Sequence, residues 1–116
     1  MSSQLAFLFS GRTKDSVMWV VTRQEWRFRD DFARWLSANW EIWLRFEREA
    51  NRVYEAGRRH WSSRTIVEYL RHETALREKD SALKLNNNWA PSMARLYLTL
   101  HPERANLFEL REKEAA

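Results

Sequence analysis

Large apolar residues recur every three or four positions through the middle of the chain, which is the spacing that places side chains on one face of an α-helix. One stripe spans residues 28–36 and a second spans residues 40–53, with Asn39 between them. We expect Asn39 to break or cap the first helix. Gly57 follows the second stripe, where a helix favours a left-handed C-terminal cap. The pattern therefore predicts two helices that meet at Asn39.

Residues that build tight turns are scarce. The 116 residues include only two glycines and two prolines, too few for the many turns of sandwiches, barrels and glycine-rich phosphate loops. The absence of cysteine excludes disulfides, thiolate zinc sites and thiol catalysis. No apolar run approaches the roughly 20 residues of a membrane span, and residues 1–10 lack the basic flank of a signal peptide. We therefore expect a cytoplasmic all-α protein, a compact bundle of four to five helices.

Capping signals place further helices. Residues 22–25 match a capping box, in which a threonine and a glutamate each satisfy an unpaired backbone N–H. Ser62 or Ser63 can cap a helix that runs to about Leu76. Each of these signals predicts the start of a helix.

Two prolines frame the C-terminal part of the fold. Pro91 suits the first turn of a helix, and Pro102 follows the end of that helix. A last short helix is expected around residues 107–110. The predicted core consists of Phe32, Leu36, Trp43, Phe46, Ile66, Leu70, Leu96, Leu100 and Phe108.

The first 21 residues differ in composition from the rest. Two apolar runs, residues 5–9 and 17–21, flank a polar segment, and three residues of the second run are β-branched valines. This pattern allows a short β-hairpin, but an isolated hairpin is marginally stable in water. We favour a loosely ordered N-terminal arm over residues 1–21, followed by one helical domain over residues 22–116.

Positive charge is concentrated in the second half of the chain. Residues 57–95 hold eight basic and four acidic side chains, a net charge of +4, which equals that of the whole chain. Such a localised charge suits DNA or an anionic protein surface. Because no acid lies between Glu55 and Glu68, we expect the arginines there to lack local partners and to reach solvent while their stems cover apolar surface. The candidate binding residues are Arg58, Arg59, Arg64, Arg71, Lys84, Asn86, Asn87, Asn88 and Arg95.

The helices expected over residues 43–56 and 63–76 are joined by a short connection, as in a helix-turn-helix module that lays its second helix in the DNA major groove. At the start of that second helix, hydroxyls, backbone N–H groups and arginines can meet phosphates. In the alternative arrangement, the helix that begins at Pro91 reads the bases, with the asparagines of residues 86–88 ahead of it. Asparagine pairs with adenine and arginine with guanine. DNA is therefore the first expected partner.

Catalytic and metal-binding patterns are weak. Glu68 and His72 lie four residues apart, a spacing that two metal ligands can use on a helix, but a closed site needs three or four ligands. A nuclease would also need convergent carboxylates around its metal, and the acids here are equally well explained as solvated surface. We expect no enzyme activity, no metal and no cofactor.

A series of short motifs runs through the second half of the chain: GRRHWS (57–62), RTIVEYLR (64–71), KLNNN (84–88), ARL (94–96), HPE (101–103) and LFELR (107–111). Together they resemble a family of small bacteriophage and prophage proteins of uncharacterised function. The resemblance implies a phage-type origin and action in the cytoplasm of the bacterial host cell, and it carries over no catalytic residue. Residues 1–25 lie outside it.

Seven tryptophans are an unusual number for 116 residues. Together with six phenylalanines they exceed what one small core easily hides, so we expect some to be partly exposed as anchors for a partner or to be buried in a homodimer. This content supports the alternative function, a phage-encoded protein that binds and inhibits or modulates a host or bacterial-defence protein. The tryptophans considered for this role are Trp26, Trp35, Trp40, Trp43 and Trp61.

Overall fold

The computed structural model describes residues 12–77 and 86–110. Within those residues the chain forms five α-helices: α1 (Lys14–Thr22), α2 (Phe32–Ala38), α3 (Trp40–Glu55), α4 (Ser63–Arg77) and α5 (Ala90–Leu100). Three short 3-10 turns cover Glu25–Arg27, Asn87–Trp89 and Pro102–Arg104. The only β-type pairing in the described residues is an isolated parallel bridge between Trp61 and Phe108. The predicted all-α bundle of four to five helices is therefore confirmed.

Helix α1 includes residues 17–21, the second of the two segments (5–9 and 17–21) from which the sequence allowed a hairpin. The Thr13 side chain accepts a hydrogen bond from the Ser16 backbone N–H at 3.1 Å and caps the helix. Val17 and Val21 lie one helical turn apart, and both are buried where α1 packs against α2. The strand that the sequence allowed here does not form, because burial of two valines on one helix face outweighs the small helix penalty of β-branched residues. The core thus extends N-terminal of Thr22, and residues 1–11 of the predicted arm lie outside the described residues.

The capping box predicted over residues 22–25 does not start a helix. Thr22 is the last residue of α1, and its hydroxyl donates to the Trp19 carbonyl at 3.2 Å. The chain then passes through a 3-10 turn and an extended Phe28 before α2 begins. The prediction failed because Thr22 is itself a helical residue, the last of α1, whereas an N-cap residue has a non-helical backbone conformation. Phe28 and Phe32 are nevertheless buried, with their rings stacked 5.2 Å apart.

Two local signals in the helical region act as predicted. Asn39 separates α2 from α3, and its side-chain Nδ2 donates to the Trp35 carbonyl at 2.9 Å. Gly57 adopts φ +98° after α3. Its N–H bonds to the Tyr54 carbonyl at 3.0 Å, and the next N–H bonds to the Val53 carbonyl at 3.3 Å, the paired pattern of a Schellman cap. Both helix-end predictions are confirmed.

The last two helices also begin where the sequence predicted. The Ser62 hydroxyl accepts a hydrogen bond from the Thr65 N–H at 3.2 Å and caps α4, and Pro91 lies in the first turn of α5. Residues 107–110 do not form the short helix expected around them. Instead, the Leu107 carbonyl accepts a hydrogen bond from the Trp61 N–H at 2.7 Å. The backbone at Leu107 thus pairs with the connection between α3 and α4, and not with the next turn of a helix.

The core is built around Trp43, which is fully buried. Its ring stacks on Phe46 at 5.9 Å, and Phe46 meets Phe108 at 5.7 Å. All nine predicted core residues are buried, so the predicted phases of α2 to α5 are confirmed. None of the helices in the described residues has both the length and the apolar character required to cross a membrane.

Candidate nucleic-acid interface

Arg58 and Arg59 lie in the connection between α3 and α4, and both are exposed. The Arg58 guanidinium lies 5.9 Å from the centroid of the Trp61 ring. The Arg59 guanidinium lies 4.1 Å over Tyr54 and donates to the Tyr54 carbonyl at 3.0 Å. Neither arginine has a carboxylate partner in the part of the chain that the structure describes. Arg59 also satisfies a carbonyl at the end of α3, so it has a structural role that the sequence did not indicate.

Arg64 and Arg71 lie on the outer face of α4 and are both exposed. Seven residues separate them, which corresponds to about 10 Å along the helix axis. The Arg64 Nε lies 3.4 Å from Oε1 of Glu68, so the expectation that this arginine lacks an acidic partner is wrong. The helix brings residues four positions apart onto one face. Because an exposed ion pair of this kind is weak, Arg64 can exchange the carboxylate for a phosphate.

The exposed face of α4 presents more than the two guanidinium groups. Beside Arg71, the side chains of Glu68, His72 and Ala75 line an open cleft of about 400 Å³. We call the five exposed polar residues of this face the α4 surface. They supply hydrogen-bond donors from arginine, histidine and threonine together with one carboxylate. The α4 surface consists of Arg64, Thr65, Glu68, Arg71 and His72.

The asparagine run forms the turn that leads into α5. The Asn86 side-chain Oδ1 accepts a hydrogen bond from the Asn88 N–H at 2.9 Å, and the turn packs against α4. Asn86 and Asn88 are exposed, whereas Asn87 is half-buried and its Oδ1 is buried without a hydrogen-bond partner in the described residues. Asn86 therefore caps the turn. Lys84 lies outside the described residues.

Arg95 lies apart from the other candidate residues. It is half-buried on α5, and burial, together with the nearby charge of Arg27, lowers its pKa from the ordinary arginine value. Arg27 also donates a hydrogen bond to Thr99, one turn further along α5. Tyr97, two residues from Arg95, instead faces Asn51 of α3. Because residues two positions apart point to opposite sides of a helix, Arg95 does not lie with the α3–α4 connection.

A second group of arginines, outside the candidate set, lines the groove between α3 and α4. Arg45, Arg48 and Arg52 follow each other at spacings of three and four, a pattern that the sequence displays. Together with Tyr69 and Glu73 they line a groove of about 240 Å³. Carboxylates in the groove and at its rim neutralise much of the positive charge of these arginines. Arg52 makes two hydrogen bonds to Glu49, at 2.7 and 2.8 Å, and a hydrogen bond to Glu73 raises the pKa of Tyr69.

The tryptophans divide between core and surface, as the sequence predicted. Trp43 is buried, Trp35 and Trp40 are half-buried, and Trp61 is about one-third exposed. The two most exposed are Trp26 at 72% and Trp19 at 60%. Trp19 was missed as a surface residue because its segment was predicted to be an arm, in which no face is defined.

Residues 12–77 and 86–110 contain no group of three or more His, Asp or Glu side chains able to hold a metal ion. No family model, curated protein or solved structure matches the chain. The resemblance to phage proteins therefore stays a prediction.

Proposed function

We propose that the protein binds duplex DNA through the α4 surface. The observation that carries the proposal is the placement of Arg64 and Arg71 on one exposed helix face, with Thr65 and His72 beside them. Arginine and threonine donate hydrogen bonds to phosphate oxygens and to acceptors on base edges. The face therefore combines groups that attract the backbone with groups that read bases.

The packing of α3 and α4 supports this proposal. The two helices contact each other, and residues 56–62 join them. Ile66, Val67 and Leu70 bury the inner face of α4, which leaves the outer face of this 15-residue helix to solvent. A helix of that length extends roughly 22 Å, and the major groove of B-DNA, about 12 Å wide, admits a helix.

The beginning of α4 adds to the attraction for phosphate. The partial positive charge of the helix dipole lies at this end, and Arg58 is exposed in the preceding connection. Phosphate contacts of this kind fix the orientation of a protein on the duplex, whereas base contacts give specificity. We therefore assign Arg58 to phosphate binding and the α4 surface to the groove.

Fluorescence anisotropy with a labelled DNA duplex tests the proposal. Arg71→Glu should weaken binding at least tenfold, about 1.4 kcal/mol, because it places a carboxylate in the groove. The matched control is Arg34→Glu, which changes the net charge equally but lies exposed on α2. At about 0.1 M salt its effect should stay within about twofold, because Arg34 lies on another helix, outside the α4 surface, and salt weakens interactions between separated charges.

The wild-type affinity should also fall steeply as salt rises, because each neutralised phosphate releases counterions. Equal losses in the two variants would show that only net charge matters. A wild-type protein that does not bind duplex DNA even at low salt would contradict the proposal. In that case, capture of a bacterial protein from a nuclease-treated lysate would favour the alternative function, in which the chain binds and inhibits or modulates a host or bacterial-defence protein.

A further inference from the structure

Helix α1 carries a large apolar side chain on its solvent-facing side. Val17 and Val21 bury the inner face against the core, whereas Trp19, between them, is 60% exposed. Tryptophan is usually well covered in a folded protein, and it is among the residues that most often anchor protein interfaces. The exposed indole therefore needs an explanation that the folded monomer does not supply.

The charges around Trp19 are arranged symmetrically along the helix. Asp15 precedes it by four residues and Arg23 follows it by four, so each lies on the same face, about 6 Å from Trp19 along the axis. Both are exposed. Neither has a partner of opposite charge in the described part of the chain, and the Arg23 guanidinium lies over the Trp19 ring, 4.5 Å from its centroid.

We propose that two copies of the chain form a symmetric dimer through the outer faces of their α1 helices. If the helices meet antiparallel with Trp19 at the two-fold axis, the equal four-residue spacings place Asp15 opposite the partner subunit's Arg23, and the reverse. A two-fold contact requires a surface that is complementary to itself. An acid and a base at equal distances on either side of an apolar centre meet that requirement.

The same charges argue against a nucleic acid on this face. Asp15 would repel a phosphate backbone, and the only basic residue within α1, Lys14, is occupied by a hydrogen bond to the Ser37 carbonyl at 2.7 Å. The exposed part of Trp19 amounts to about 150 Å², whereas a standard interface buries about 800 Å² per partner. The contact is therefore a reversible monomer–dimer equilibrium rather than a permanent dimer.

Sedimentation velocity of the full chain over a concentration series, without DNA, tests the dimer. Asp15→Arg and Arg23→Asp should each weaken self-association at least tenfold, because each brings like charges together across the two-fold axis. An equimolar mixture of the two variants should restore dimerisation, because every charge then meets its opposite. Trp19→Ala should also weaken the dimer. Because Trp19 is exposed, this variant should keep the wild-type helical content, which circular dichroism measures.

Leu76→Ala is the control, because Leu76 is 73% exposed on α4 and its removal should leave self-association unchanged. A wild-type chain that sediments as a monomer at all concentrations overturns the proposal. So does a mixture of the two charge variants that stays monomeric while each variant is folded. The measurement involves neither DNA nor the α4 surface, so its outcome is independent of the proposed DNA binding.

Discussion

At the scale of single residues, the best-defined polar cluster of the fold surrounds Tyr97. This residue is fully buried. Its hydroxyl donates to Asn51 Oδ1 at 2.7 Å and accepts from Arg104 Nη1 at 2.7 Å. Arg104 also donates to Asn51 at 2.8 Å and lies over Tyr54, 4.3 Å from the ring centroid. The cluster joins α3, α5 and the C-terminal 3-10 turn through four side chains, and within it Arg104 Nε is buried without a hydrogen-bond partner in the described residues.

Removal of the hydroxyl should therefore destabilise the protein. Tyr97→Phe leaves Asn51 and Arg104 without one partner in a buried site, which should lower the free energy of unfolding by about 1–2 kcal/mol. Tyr69→Phe is the matched control, because Tyr69 is exposed on α4, and it should cost no more than about 0.5 kcal/mol. Urea denaturation measures both. Equal costs would show that the cluster contributes nothing to stability.

Tyr97 should also give the protein a defined alkaline limit. Burial raises the pKa of Tyr97, although the hydrogen bond from Arg104 opposes this. The folded protein thus holds the phenol proton more tightly than the unfolded chain does. The stability that this difference supplies is complete below about pH 10, the ordinary tyrosine pKa, and is lost as the pH rises through the pKa of Tyr97 in the folded protein. Above about pH 10, wild type should lose unfolding free energy with rising pH more steeply than Tyr97→Phe. Parallel pH profiles for the two proteins would contradict this assignment.

At the scale of elements, helix α1 is the main difference between the predicted and the observed fold. Valine-rich segments are typical of strands, yet residues 17–21 lie within helix α1. The inner face of α1 contacts α2 and contributes Val17 and Val21 to the core. A segment whose composition predicts a loosely ordered arm is thus part of the folded domain, because it packs on the core.

The contribution of α1 to stability can be measured at one position. Val21 is fully buried, so Val21→Ala should lower the free energy of unfolding by about 1–3 kcal/mol through lost burial and the cavity left behind. Thr22→Ala tests an adjacent β-branched residue that is exposed, and its effect should stay within about 0.5 kcal/mol. If Val21→Ala is as mild as Thr22→Ala, α1 does not pack on the core in solution.

At the scale of the whole molecule, the fold distributes charges that are close together in sequence. Arg64 and Arg71 lie on the outer face of α4, Arg59 lies over Tyr54, and Arg95 is half-buried near Arg27. Among the described residues of this segment, the positive charge therefore does not form one continuous surface. Only the part on α4 has the regular spacing that a groove-binding helix requires, which is why the proposed function rests there.

Much of the fold was predictable from the sequence because its signals are local. Four residues mark helix ends through side-chain hydrogen bonds or allowed backbone angles that involve only neighbours a few positions away: Asn39, Gly57, Ser62 and Pro91. The apolar spacing fixed which faces of α2 to α5 are buried, since periodicity within one helix determines its inner side. The same reasoning identified Arg64 and Arg71 as solvent-facing.

The tertiary structure decided the features that depend on residues far apart in the chain. The Arg12 guanidinium donates to the Leu100 carbonyl, and the Trp61 N–H donates to the Leu107 carbonyl, contacts that no local pattern indicates. Such contacts accompany the helical ordering of residues 14–22 and the irregular path of residues 105–110. A distant residue, Arg27, likewise lies near Arg95. Local sequence determines where helices start, stop and bury a face, whereas the pairing of distant segments is selected by packing and hydrogen-bond satisfaction over the whole chain.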